Sequence, residues 1–241
     1  MLAGLPCRGV WRMSMNIKPD DSLTNRAYVE LRAELIACRI EPGSRLNISR
    51  LQKQLGVSQA AVREALSRLS SEGLAIIERN SGFRAAPISV NGYRALAKAC
   101  AVIEEPCLRW AIAKGDLAWE GALLSTYHIA TKILAKVAAG EIEIGEYVRY
   151  REEFHRKLFS ACENEWLLWT WSLLYAQHVR YRQTFPELAK FELTLADDYR
   201  QFLDATIARD AATAVRIWCE NHDKVADFID SNLDASGRKA A

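Results

Sequence analysis

The chain has 241 residues, of which 50% are hydrophobic and 26% charged, a balance that excludes a largely disordered or collagen-like chain and fits one that buries a core. At roughly 100–200 residues per domain, this length makes one large domain or two small ones. The formal net charge of +2 hides an asymmetry: residues 1–90 carry 13 Lys and Arg against 8 Asp and Glu, and residues 91–241 carry 19 against 22. A basic first third on a mildly acidic remainder points to an N-terminal module that meets an anionic polymer.

The six cysteines (Cys7, Cys38, Cys100, Cys107, Cys162, Cys219) form no Cys-x-x-Cys pair, which reads as a reducing, cytoplasmic setting. The longest apolar stretch, Leu167 to Ala176, is interrupted by Thr170 and Ser172 and is about half a membrane span, so no membrane partner is expected. Residues 1–21 read as a disordered extension with alternative starts at Met13 and Met15.

A helical period runs from Ser22 to Arg39, with Leu23, Ala27, Leu31 and Leu35 at four-residue spacing. Pro42-Gly43 stops it. A short helix follows over Ile48–Leu55 and is closed by Gly56; a third opens at Ser58 and ends at Gly73. Two short extended runs, Leu74–Ile77 and Phe83–Ala86, flank the turn Asn80-Ser81-Gly82 and predict a β-hairpin. After a linker at residues 87–92 there is no further strand signal. Breaks at Gly115-Asp116, Gly140, Glu163-Asn164, Phe185-Pro186 and Arg209-Asp210 predict an all-α bundle of about six helices over residues 92–232. The fold class is therefore mainly α: a winged helix-turn-helix over residues 22–87 with a small β-hairpin, then a helical bundle.

The third helix carries the chemistry of the first module. Ser58 is a good N-cap, and Val62, Ala65, Leu66 and Leu69 form the buried stripe. Gln59, Ala60, Arg63 and Ser67 then lie on the opposite face, short near its start and able to enter a major groove. Gln pairs with adenine and Arg with guanine in two-bond contacts. Ser58 and the open helix N-terminus suit a phosphate. Arg45, Arg50 and Arg68 flank the helix as candidate backbone contacts, and Arg79 with Gly82 is poised for the minor groove from the hairpin tip.

The runs Pro42-Gly43-Ser44-Arg45-Leu46, Leu55-Gly56-Val57-Ser58-Gln59-Ala60-Ala61-Val62-Arg63-Glu64-Ala65-Leu66-Ser67-Arg68-Leu69 and Glu72-Gly73-Leu74 resemble the DNA-binding domain of the GntR family of bacterial transcription regulators. Gln59 and Ala60 stand where Arg and Thr are usual in that family, and Ser81 where an Arg commonly precedes the wing glycine. The helical part resembles the FadR-type C-terminal ligand-binding domain of the same family, on Glu105-Pro106, Phe154-His155-x-x-Leu158 and the last helices around Asp198–Asp204 and His222.

Many members of that subfamily hold a divalent metal, which binds a small carboxylate effector. Matched position by position, the metal set of this chain is Arg151, His155, Tyr199 and His222, with Ala101 where the effector arginine of the first helix is usual. A guanidinium is never a ligand and stays protonated. No cofactor is therefore required, and zinc or a similar ion at His155 and His222 is the alternative.

Periodicity points Arg151, His155, Tyr199 and His222 inward. A buried guanidinium needs a partner. Either Arg151 grips an organic acid through two parallel hydrogen bonds, with His155, Tyr199, His222 and Arg182 completing an effector site, or it pairs with Glu152 or an acid of a neighbouring helix. His178 and Arg180 are further pocket candidates. Of the three tryptophans at 166, 169 and 171, at least one is expected to meet another subunit or pack under a loop.

The resemblance implies a homodimeric repressor that binds double-stranded operator DNA and responds to a small carboxylate. The readings set against it are a DNA-binding dimer without an effector and a metal-dependent enzyme.

Overall fold

A computed structural model describes residues 22–79, 82–185 and 187–235. The extension expected over residues 1–21 lies outside them, as do Asn80, Ser81 and Pro186.

Three helices open the chain: α1 (Leu23–Ile36), α2 (Ile48–Leu55) and α3 (Gln59–Ser71). Each begins where a short polar side chain takes up a first-turn amide: Ser22 accepts from Asn25 N, Asn47 from Arg50 N and Ser58 from Ala61 N. Gly56 ends α2 in the left-handed region at φ +65°, a conformation that favours glycine. Ala27, Leu31 and Leu35 of α1 pack with Val62, Ala65, Leu66 and Leu69 of α3 in one core.

Strands β1 (Arg45–Leu46), β2 (Ala75–Glu78) and β3 (Gly82–Ala85) make an antiparallel sheet in the order β1-β3-β2. Arg45 pairs with Arg84, and Glu78 with Gly82. The hairpin is thus accompanied by a third strand. Two residues carry no alternation from which β1 could have been read.

The remainder is helical: α4 (Val90–Lys114), α5 (Leu117–Ala138), α6 (Ile144–Ser160), α7 (Glu165–Gln183), α8 (Leu188–Thr194), α9 (Ala196–Ile207) and α10 (Ala211–Ala235). The region read as one helix after Phe185 is two, because Leu195 sits at φ −92°, ψ 8°, in the sparsely populated bridge region. The short α8 that results holds a key carboxylate. Ser89 caps α4 by accepting from Gly92 N, so only residues 86–89 connect β3 to the bundle rather than the longer linker expected.

The main bundle core joins Leu108 and Ile112 of α4, Leu123 of α5, Phe159 of α6, Trp171 of α7, Phe202 of α9 and Trp218 of α10. Within it the buried Glu104 accepts from the indole N–H of Trp171 at 3.1 Å and of Trp218 at 2.9 Å. Trp171 is buried while Trp166 and Trp169 are exposed. No helix among the described residues is long and apolar enough to cross a membrane.

Candidate functional site

In the first module Arg45, Asn47, Gln59, Arg63 and Gly82 line one cleft, formed where β1, the start of α2, the first turns of α3 and the wing meet. Gln59, Ala60 and Arg63 are exposed on the outer face of α3, and Arg50 is exposed on α2. Ser58 spends its oxygen on Ala61 N at 3.1 Å, which leaves the first-turn amides of Gln59 and Ala60 for an anion. Arg79 is exposed where β2 enters the turn, and Gly82 takes φ +92° there.

Arg68 does not join this cleft. Its guanidinium lies 3.9 Å above the ring of Tyr28 on α1, an attractive cation–ring contact. Arg84 ties the sheet together: its Nε donates to Glu78 Oε1 at 2.6 Å and its Nη1 to Gly43 O.

The bundle holds a second site. A cavity of about 50 Å³ is walled by α5, α6, α8 and α9, mostly with apolar side chains. At roughly 10–15 Å³ per water, that is room for a few waters or a small organic molecule. Arg151, His155 and Tyr199 line it together with Glu192, a residue the sequence did not single out. Arg151 is 4% exposed; its Nη1 donates to Tyr175 Oη at 3.3 Å and its Nε lies 3.8 Å from Glu192 Oε1. Glu192 is held more closely by Arg182, whose Nη1 is 2.6 Å from the same oxygen. That contact is ionic rather than a well-directed hydrogen bond, since neither Glu192 oxygen has an aligned donor.

Arg182 therefore sits behind the wall rather than in it, and its Nε donates to His178 Nε2 at 2.9 Å. His222 is also displaced from the cavity. Its Nδ1 faces Trp218 O at 3.0 Å and its Nε2 faces Glu104 Oε2 at 3.3 Å. Arg180 is buried away from the cavity: it donates to Ala86 O in the connection between the modules and to Gln177. Of the pairings considered for Arg151, the neighbouring-helix acid is the one present, while Glu152 pairs with Arg156 at 2.6 Å.

This set does not fit a divalent cation. Arg151 brings a fixed positive charge to one ligand position, Tyr199 offers a neutral phenol, and both nitrogens of His222 are turned to oxygens away from the cavity. Only His155 is left, with its Nδ1 buried and unbonded, where such sites use three or four ligands. Among the described residues no group of three or more His, Cys, Asp and Glu is arranged to hold a metal.

Burial, reinforced by the nearby guanidiniums, holds the imidazoles of His155 and His178 well below their usual range. His222 is lowered by burial too, against the opposing pull of Glu104. All three are thus neutral near pH 7. Below the unfolded value of about 6.5 the unfolded chain takes up protons that these sites refuse, so stability falls as pH drops. The expected slope is about 1.4 kcal/mol per pH unit for each such histidine. Urea unfolding between pH 7 and 5 measures it, and His155→Gln should make the slope shallower by about one histidine; an unchanged slope contradicts the assignment.

Two family models match the chain: bacterial regulatory proteins of the gntR family over residues 23–84, and the FCD domain over residues 95–223. The chain is 30% identical to the uncharacterized HTH-type transcriptional regulator BphR of Paraburkholderia xenovorans (strain LB400), over 79% of this chain and 78% of that one. It is 27% identical to the HTH-type transcriptional repressor GlaR of Escherichia coli (strain K12), over 78% and 86%. The solved structure of E. coli McbR/YncC superposes with a TM-score of 0.74 at 17% identity, covering 88% of this chain and 99% of that one. A putative transcriptional regulator GntR from Rhodococcus sp. RHA1 gives 0.70 at 20% identity, covering 86% and 96%. These structures speak to the fold alone. The matched domains and relatives are transcription regulators, not enzymes. The chain belongs to the GntR family of bacterial regulatory proteins, with an FCD domain as its helical half, and is a transcriptional regulator.

Proposed function

We propose that this regulator is a homodimeric repressor whose operator binding is altered by a small carboxylic acid gripped by Arg151, without a metal. The observation that carries this reading is the division of α7 into two faces. At 100° per residue, Tyr175, His178 and Arg182 share one side of the helix and Gln177, Arg180 and Tyr181 the other. The first three belong to the polar interior beside the cavity: Arg151 donates to Tyr175 Oη, and Arg182 pairs with Glu192.

The second three hold the DNA-binding module. Gln177 Nε2 donates to Glu72 O at 3.0 Å, just after α3; Arg180 donates to Ala86 O; and Tyr181 Oη accepts from Ser89 N at 3.4 Å. A Cβ on Gly92 would lie 2.6 Å from Tyr181 Oη, so that contact depends on glycine. An acid that draws Arg151 and Glu192 into a new arrangement shifts α7, and with it the connection at residues 86–89. The acid acts to the extent that it binds one arrangement better than the other.

DNA reading is assigned to the cleft face of α3, with Gln59 and Arg63 on bases, Arg45 and Arg50 on phosphates, and Arg79 and Gly82 at the wing. Exposed Val102 and Trp110 on α4 with Trp166 and Trp169 on α7 supply the apolar surface for the second subunit. Repression is the mode named for the relative GlaR.

On the operator, Arg63→Ala should remove base preference at the cost of about 1–3 kcal/mol of discrimination. Arg50→Ala should weaken all sequences alike and reduce the salt slope by about one. Retained sequence preference in Arg63→Ala would show that the reading face is misassigned.

The effector is tested by thermal denaturation with small carboxylic acids, untreated, chelated and with added zinc. A ligand at a hundred times its Kd adds about 2.7 kcal/mol. Stabilisation that survives chelation, vanishes in Arg151→Ala and is accompanied by loss of operator affinity supports the proposal. Stabilisation that requires zinc contradicts its metal-free part, and no response to any acid contradicts the effector.

A further inference from the structure

The cavity wall contains two fixed charges of opposite sign, Arg151 from α6 and Glu192 from α8. Glu192, 1% exposed, is shared between Arg182 at 2.6 Å and Arg151 at 3.8 Å. From this placement we infer that Glu192 sets the charge of the ligand: the cavity takes a monocarboxylic acid with an apolar body and rejects the dicarboxylic acid of the same length. The inference rests on the carboxylate reading above and adds the residue that selects among carboxylates.

Charge compensation carries the argument. Arg151 and Arg182 against Glu192 leave a single positive charge beside the cavity. Glu104 is a further buried carboxylate, but it does not line the cavity: its oxygens accept from two indole N–H groups and one of them faces His222. The three histidines add no charge, being held neutral by burial and by the guanidiniums. One ligand carboxylate therefore balances the positive charge left beside the cavity, with Arg151 to hold it and the unbonded His155 Nδ1 in the same lining.

A second carboxylate would be buried uncompensated next to Glu192, a costly arrangement in a medium of low polarity. The rest of the lining suits an alkyl group instead, since it includes Ala130, Leu134, Phe154, Leu193 and Ala196. The tyrosine and threonine hydroxyls between them hydrogen-bond but carry no charge. Sequence alone gives no hint of this selection, since Glu192 lies in a seven-residue helix with no motif around it.

Butyrate and succinate share a four-carbon chain and differ in the second carboxylate, so they isolate the effect. Calorimetric titration of the full-length protein should give butyrate at least tenfold tighter than succinate. In Glu192→Gln, which leaves two uncompensated guanidiniums, the ratio should fall by at least tenfold. Removing Arg182 as well, in the double variant Arg182→Gln/Glu192→Gln, returns the count to one positive charge and should restore the preference for butyrate. Should Glu192→Gln alone fail to fold, the wild-type ratio and the double variant decide.

Succinate binding as tightly as butyrate in the wild type, or a ratio unmoved by Glu192→Gln, overturns the role of Glu192 while leaving the carboxylate reading intact. Binding of neither acid to either protein overturns both.

Discussion

Two guanidinium groups buried beside one cavity must be compensated, and the arrangement of the FCD half follows from how that is done. Arg151 and Arg182 reach the interior from α6 and α7, and a single carboxylate, Glu192, lies between them. Separating charges from water carries a penalty of several kcal/mol per ion unless geometry and hydrogen bonds offset it. Here the offset is partial: Glu192 has no aligned donor, and the bond from Arg151 to the Tyr175 phenol is long at 3.3 Å. Beside the cavity one positive charge is left over, and the proposed acid would meet it.

The same constraint makes this interior a poor fit for a divalent cation. Burial, reinforced by the guanidiniums of Arg151 and Arg182, keeps the imidazoles of His155 and His178 neutral, and the same positive charges disfavour a cation. Glu104 and His222 are occupied with each other and with two indoles and a backbone carbonyl.

Much of this is legible in the sequence. Ser58 as a cap and Val62, Ala65, Leu66 and Leu69 as a stripe fix α3, and the packing of that stripe leaves Gln59 and Arg63 outside. Periodicity also turns Arg151 and His155 inward. It gives less for α7, where Tyr175, His178, Arg180, Tyr181 and Arg182 are all buried. A helix covered on every side has no polar face to mark its orientation, so Arg180 reads as a pocket residue although it grips the connection to the DNA-binding module. Glu192 is invisible for another reason. Its burial depends on a change of direction at Leu195, which no glycine or proline announces. Strand β1 is too short for any pattern.

The account depends on α7 linking the cavity to the connection at residues 86–89, and hydrogen–deuterium exchange measured with and without butyrate tests that link most directly. The predicted result is a change in protection at α7 and at residues 86–92, alongside changes at the cavity helices α6 and α8. A change confined to α5, α6, α8 and α9, with α7 and residues 86–92 exchanging as before, would contradict it.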